Sequence, residues 1–310
     1  MASSSSLSEE KRLGVLSTVL SSFFLGWAPI LGKMAYSGGA TPFTVVAFRT
    51  AAAALLLWLA FVLLWRREIR IGWRDLIGCL GVGTVNGFGS LLYYSSLSRL
   101  DASRAALLNT LYPLWVVLFL FAAGQPLTQL TLVRLGLSMG GTYLLTRAGS
   151  GELDWLGVAL MIASAATYGW HLVLGQWVLA DVPSRKATLY IVTAMACVVG
   201  LARGLQDQPL EPVTTAGWQA IFALGLTTAL SRLAMFAGLE KLGGIETALT
   251  SLLELLVSLI LAFLLLGERL TASQWLGGVL LVTSLMLMTR DRGIRLDEGR
   301  AALEWAAVAG

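Results

Sequence analysis

The chain has 310 residues, 56% of them hydrophobic and only 13% charged, with a mean hydropathy of +0.76, whereas an ordinary soluble domain is about one quarter charged. That balance excludes a soluble globular fold and makes a lipid bilayer the solvent. The net charge of +4 and pI near 9.3 do not indicate a nucleic-acid partner, because the basic residues lie between apolar runs rather than in one patch.

Residues 1–12 form a Ser-rich polar tail. The apolar run after Arg12 reaches Tyr36 without a small-residue cleavage site, so it reads as a first spanning helix and not a removed signal peptide. Apolar runs then recur, each long enough to cross about 30 Å of hydrocarbon. They predict helices over 13–36, 42–65, 73–97, 104–123, 127–146, 155–179, 185–202, 217–239, 245–266 and 272–289, followed by a charged tail at 290–310. Pro42, Pro126, Pro183, Pro209 and Pro212 fall in the breaks, where helices can stop. The expected fold is an all-α membrane protein of ten transmembrane helices with short connections.

Polar groups at depth are costly and normally face a bundle interior or a wet cavity. Helix one carries Trp27, whose depth is unusual because membrane Trp collects at interfaces; it reads either as a stacking surface for an aromatic solute or as packing beside glycine. Helix three presents Asn86, Ser90, Tyr93 and Tyr94 on one broad face. Helix four carries Asn109 and Tyr112 three residues apart, before the kink-prone Pro113.

Helix six holds Tyr168, Trp170 and the single histidine, His171, which is either a proton relay or a hydrogen-bonded packing residue. Helix eight holds Arg232, which could receive a substrate carboxylate or pair with Glu254. On helix nine Glu254, the only acidic residue near mid-span, shares a face with Thr247, Thr250, Ser251 and Ser258. It reads as the partner of a substrate ammonium or a proton, or as half of a buried ion pair with Lys33 or Arg232.

Thirteen Lys and Arg fall in segments on one side, five on the other, and four (Lys33, Arg49, Arg134, Arg232) inside spans. The excess predicts that both termini are cytoplasmic. The two cysteines, Cys79 and Cys197, lie inside hydrophobic runs and imply neither a disulfide framework nor a metal site.

The chain also repeats itself. A shift of 143 residues aligns Ser21, Gly26, Trp27, Leu31 and Gly32 with Ser164, Gly169, Trp170, Leu174 and Gly175, sharing the string GWxxxLG. A shift of 142 aligns Leu97, Leu100, Ala106, Leu107 and Leu111 with Leu239, Leu242, Ala248, Leu249 and Leu253, and carries Asn109 onto Ser251 and Tyr112 onto Glu254. Two halves of five helices, 13–146 and 155–289, follow. Because five is odd, the halves must be threaded in opposite senses, as in alternating-access transporters with a site at the bilayer midplane.

Each half ends in a glycine, a break and a Leu-Thr start to its last helix, GQPLT at 124–128 and GERLT at 267–271. Over 13–289 this pattern resembles the EamA-type branch of the drug/metabolite transporter superfamily, and within it is similar to the bacterial aromatic amino-acid exporters of the YddG type. The resemblance implies a bacterial inner-membrane secondary transporter that exports amino acids, aromatic ones among them, or similar small metabolites. It implies a cavity made by helices one, three, four, six, eight and nine. Helices five and ten would brace the bundle or form a homodimer.

The alternatives are another metabolite or drug as cargo, an intramembrane enzyme acting on lipid, or a scaffold. No phosphate loop, metal-spaced His/Cys cluster or Ser/His/Asp arrangement is visible, so no cofactor and no catalysis are expected. The partners expected are a small solute and the bilayer.

Overall fold

The computed structural model describes residues 2–122, 129–147, 154–206, 209–250 and 252–287. They form helices α1 (Ala2–Gly26), α2 (Ala28–Ser37), α3 (Pro42–Leu64), α4 (Trp73–Leu97), α5 (Ala102–Asn109) and α6 (Tyr112–Ala122). There follow α7 (Gln129–Arg147), α8 (Trp155–Val178), α9 (Ser184–Gly204), α10 (Thr215–Thr250), α11 (Leu252–Leu266) and α12 (Ala272–Met286). Among the described residues there is no strand. Seven stretches among the described residues are long and apolar enough to cross a membrane: Arg12–Ser37, Pro42–Leu64, Trp73–Leu97, Ala102–Phe119, Trp155–Val178, Ser184–Gly204 and Thr215–Leu242, with Leu253–Leu266 shorter.

Two predicted helices are interrupted where proline removes a ladder N–H. The first breaks at Trp27 between α1 and α2, two residues before Pro29, and the fourth breaks at Thr110 and Leu111 between α5 and α6, just before Pro113. The expected break at 240–244 is instead helical, since α10 runs on to Thr250. No proline stands there to stop the ladder. The chain nonetheless reverses between Leu242 and Glu254: α10 runs antiparallel to α1, with Ser231 at Ser21, Gly238 at Thr18 and Leu242 at Gly14, whereas Glu254 and Ser258 return to Gly26.

Packing follows the repeat, with roles exchanged. Helix α1 packs on α10 as α8 packs on α4; α3 on α10 as α9 on α4; α1 on α11 as α8 on α6. Single contacts repeat likewise. A Cβ on Gly26 would stand 3.1 Å from the Glu254 carbonyl, and one on Gly169 would stand 2.9 Å from the carbonyl of Tyr112, the repeat mate of Glu254. Gly32 packs on Tyr94 and Leu97, Gly175 on their mates Phe236 and Leu239. Ser21 Oγ donates to the Ser231 carbonyl at 3.0 Å, and Ser164 Oγ to the Gly89 carbonyl at 3.0 Å. Such exchange is what a two-fold relation between halves generates, and it gives the glycines of GWxxxLG a packing purpose, close helix approach.

The GERLT string is a local device as well. Gly267, at φ +67, takes the left-handed conformation that glycine adopts without penalty and ends α11. Glu268 then accepts hydrogen bonds from the Ala102 and Ser103 N–H groups at the start of α5. Thr271 and Gln274 cap α12 reciprocally, the Thr271 N–H donating to Gln274 Oε1 at 2.9 Å and the Gln274 N–H to Thr271 Oγ1 at 3.3 Å. Residues 123–128, which hold the first-half counterpart, lie outside the described residues. Helices α7 and α12, the predicted fifth and tenth, pack on one another.

Candidate functional site

A cavity with about 530 Å³ of empty space lies within the bundle. Helix α4 supplies one wall through Asn86, Ser90, Tyr93 and Tyr94, in keeping with their helical spacing. Ser164 and Tyr168 of α8, Arg232 of α10, Glu254 of α11 and Asn109 of α5 face them. Leu25 and Ala28 enter at the α1–α2 break, and α3 adds Arg49. A smaller cavity of about 300 Å³ adjoins, sharing Tyr93, Asn109 and Glu254 and adding Tyr112 and Ser258.

Both arginines are buried, each 5% exposed. Arg49 donates through Nη1 to Thr228 Oγ1 at 2.9 Å and through Nη2 to Ser90 Oγ at 3.1 Å, with its guanidinium 4.5 Å over the Tyr94 ring. Arg232 donates through Nη2 to Asn86 Oδ1 at 3.2 Å, and its Nη1 lies 3.4 Å from His171 Nε2 and 3.5 Å from Met235 Sδ. It stands 5.5 Å over the Tyr168 ring, a cation–π distance. Among the described residues no ion pair joins Glu254 to Lys33 or to Arg232. Glu254 therefore faces the cavity as a carboxylate without a salt-bridge partner.

Of the residues singled out from the sequence, Asn86, Ser90, Tyr94, Asn109, Tyr168, Arg232 and Glu254 line the main cavity, and Tyr112 lines the smaller one. Tyr112 also meets Tyr168 edge to face at 4.9 Å. Three others stand away from the lining. Trp27 is half-buried in the α1–α2 turn against the core, Trp170 packs between Phe119 and Trp177 at 5.1 and 6.0 Å, and His171 is fully buried behind Arg232. Ser251 lies outside the described residues.

Arg49 is the lining residue that sequence reasoning passed over, counting it only as a charge inside helix two. The signal was present: a lone cation in an apolar span demands an interior partner. Its partners, Thr228 and Ser90, stand 179 and 41 residues away, so no local spacing could reveal them.

The EamA-like transporter family matches the chain twice, over residues 12–147 and 155–290. The chain belongs to the EamA-like transporter family. This EamA-like chain is 27% identical over 259 residues to a Bacillus subtilis (strain 168) protein named "Uncharacterized transporter YcbK", across 79% of this chain and 82% of that one. A solved crystal structure shares the fold at a TM-score of 0.65 and 20% identity, covering 91% of this chain and 97% of its own. As an EamA-like protein the chain is a multi-pass membrane transporter of small metabolites, which agrees with the seven stretches among the described residues that are long and apolar enough to cross a membrane.

Proposed function

We propose that the chain is a secondary transporter that exports amino acids or similar small solutes, aromatic ones among them, across a bacterial inner membrane. In this reading ten spans form two inverted five-helix halves, both termini are cytoplasmic, and the halves rock about a shared site. The observation that carries it is the cavity, walled by side chains from both halves and offering charge and aromatic surface together. Arg49, Arg232 and Glu254 can meet the charged ends of a zwitterion, and Tyr93, Tyr94 and Tyr168 offer rings on which an apolar body can stack. Membership of a transporter family weighs against the intramembrane enzyme.

Counterflow in proteoliposomes tests the reading. Vesicles loaded with unlabelled phenylalanine and diluted into a trace of labelled phenylalanine are expected to accumulate label transiently. Failure to do so with phenylalanine, tryptophan and leucine alike overturns amino-acid transport.

A further inference from the structure

The cavity carries two guanidinium groups against one carboxylate. Arg49 and Arg232 are close enough for their charges to oppose each other, and their hydrogen-bond partners among the described residues are all neutral: Thr228, Ser90, Asn86, Met235 and the His171 ring. Among the described residues neither cation has an ion-pair partner, so each lacks the close counter-charge that normally offsets desolvation in a low-dielectric interior.

Hydrogen-bonding capacity is unbalanced in the same sense. Four buried groups on residues that line the cavity find no partner among the described residues: Nε of Arg49, Nε of Arg232, Nδ2 of Asn86 and the Tyr94 hydroxyl. Three can only donate, and the fourth can donate. The side-chain oxygens that the arginines reach, Thr228 Oγ1, Ser90 Oγ and Asn86 Oδ1, are engaged by their Nη groups. A buried donor without a partner is expensive, and buried polar groups in native proteins are nearly always satisfied. The shortfall is of acceptors and of negative charge together.

The repeat explains how this came about. Under the shift of 142 residues Asn86 is the mate of Thr228 and Ser90 is the mate of Arg232, so four of the polar groups are two duplicated positions that meet across the halves. Arg49 has no such mate, since Ile191 stands in its place. It adds a second cation to a site already supplied with one.

We propose that the cavity is an oxyanion site: Arg49 and Arg232 together bind the carboxylate or phosphate group of the solute, with Asn86 and Tyr94 as additional donors. Guanidinium donors match such groups in geometry as well as charge. The oxyanion is the group recognised in every cargo, whereas Glu254 answers a cationic group only in cargoes that have one. Amines lacking an oxyanion are excluded by the positive balance. The inference rests on the transport reading only in taking the cavity as the solute's place.

The test is binding to the purified, full-length protein in detergent, read as a saturable rise in its melting midpoint, so that no transport is required. The probes are phenylalanine, 3-phenylpropionate, phenyl phosphate, inorganic phosphate and 2-phenylethylamine. We expect at least one carboxylate or phosphate to raise the midpoint, the two arms saying which oxyanion is preferred, and 2-phenylethylamine to leave it unchanged. In Arg49→Gln and Arg232→Gln the apparent affinity for that oxyanion is expected to fall at least about tenfold, and Arg→Lys at either position to restore part of it. Where a Gln variant does not fold, the wild-type panel alone decides. Equal protection by 2-phenylethylamine, no protection by any oxyanion probe, or unaltered oxyanion affinity in both folded Gln variants overturns the site. Oxyanion binding without counterflow of the bound probe overturns the transport reading and leaves the site standing, and counterflow of the amine but of no oxyanion does the reverse.

Discussion

Glu268 holds the start of α5 from the other half of the chain, its two carboxylate oxygens accepting from the N–H groups of Ala102 at 2.9 Å and Ser103 at 2.8 Å. The first N–H groups of a helix have no partner within it, and a carboxylate there also meets the positive end of the helix dipole. Asp101, the residue before α5, makes no such capping bond and instead approaches Arg104 at 3.5 Å. Glu268→Ala is therefore expected to cost about 1–2 kcal/mol, the upper range for a lost cap, read as a lower melting midpoint. Glu268→Gln, which keeps one acceptor, is expected to lose less. Equal midpoints for all three proteins would contradict a capping role.

Asp154 caps α8 by accepting from the Gly157 N–H at 2.9 Å, and it pairs with Arg99 at 2.9 Å. The Gly157 bond first, and then the Arg99 bond, hold its carboxyl below the ordinary carboxylate value. A depressed folded value means that the cap stabilises above the unfolded value and that the contribution is lost as pH falls through the folded one. The midpoint difference between wild type and Asp154→Ala should thus be present at neutral pH and shrink under acid, below the ordinary carboxylate range. A difference that stays constant down to strongly acidic pH rules out a pH-dependent cap.

Exchange of contacts between the halves predicts matched mutational losses. A Cβ on Gly83 would stand 2.5 Å from both Ala194 Cβ and the Ile191 carbonyl, and one on its mate Gly225 would stand 2.6 Å from Ala52 Cβ and 3.0 Å from the Arg49 carbonyl. Backbone cannot move aside as a side-chain tip can. Gly83→Ala and Gly225→Ala are each expected to cost about 1–3 kcal/mol, the usual range for overpacking. Gly81, also on α4, has nothing within 4 Å of a built Cβ, so Gly81→Ala should be neutral or stabilising. A large loss in one mate with none in the other contradicts the two-fold packing.

The all-helical, twice-repeated architecture was legible, though not the count of ten spans, because apolar run length reports spans segment by segment and the 142 to 143 residue shift reports duplication. The α4 face was legible for the same reason, since Asn86, Ser90 and Tyr94 share it by spacing within one helix. Arg49 was not, because its meaning depends on residues far along the chain. Trp27 and Trp170, singled out for their depth, are not among the residues that line the cavity. The close contacts of GWxxxLG belong to the glycines, which bring Gly26 onto α11 and Gly169 onto α6; the neighbouring indoles are left to pack outside the cavity lining. The long α10 shows the limit of hydropathy, since Lys241 and the glycine pair after it read as a break yet lie within the helix.

That placement of Trp170 sets its expected phenotype. Its edge contacts with Phe119 and Trp177 are worth about 0.5–1.5 kcal/mol each beyond area burial. Trp170→Ala should lower the melting midpoint, and Trp170→Phe should recover much of it, with solute affinity unchanged in both. Loss of affinity at an unaltered midpoint would move Trp170 from the packing into the site.

Glu254 should behave in the opposite way. It is the one acidic residue lining the cavity, and among the described residues no basic group stands within ion-pair distance of it. Glu254→Gln keeps the shape and removes a half-buried charge that has no ion-pair partner among the described residues, so the melting midpoint should hold or rise. For a zwitterionic solute the same change removes the counter-charge to its ammonium, and counterflow of labelled phenylalanine is expected to slow at least about tenfold, equivalent to about 1.4 kcal/mol. Wild-type counterflow in the folded variant removes Glu254 from the transport cycle. Slower counterflow accompanied by a fall in midpoint assigns the residue to the fold instead.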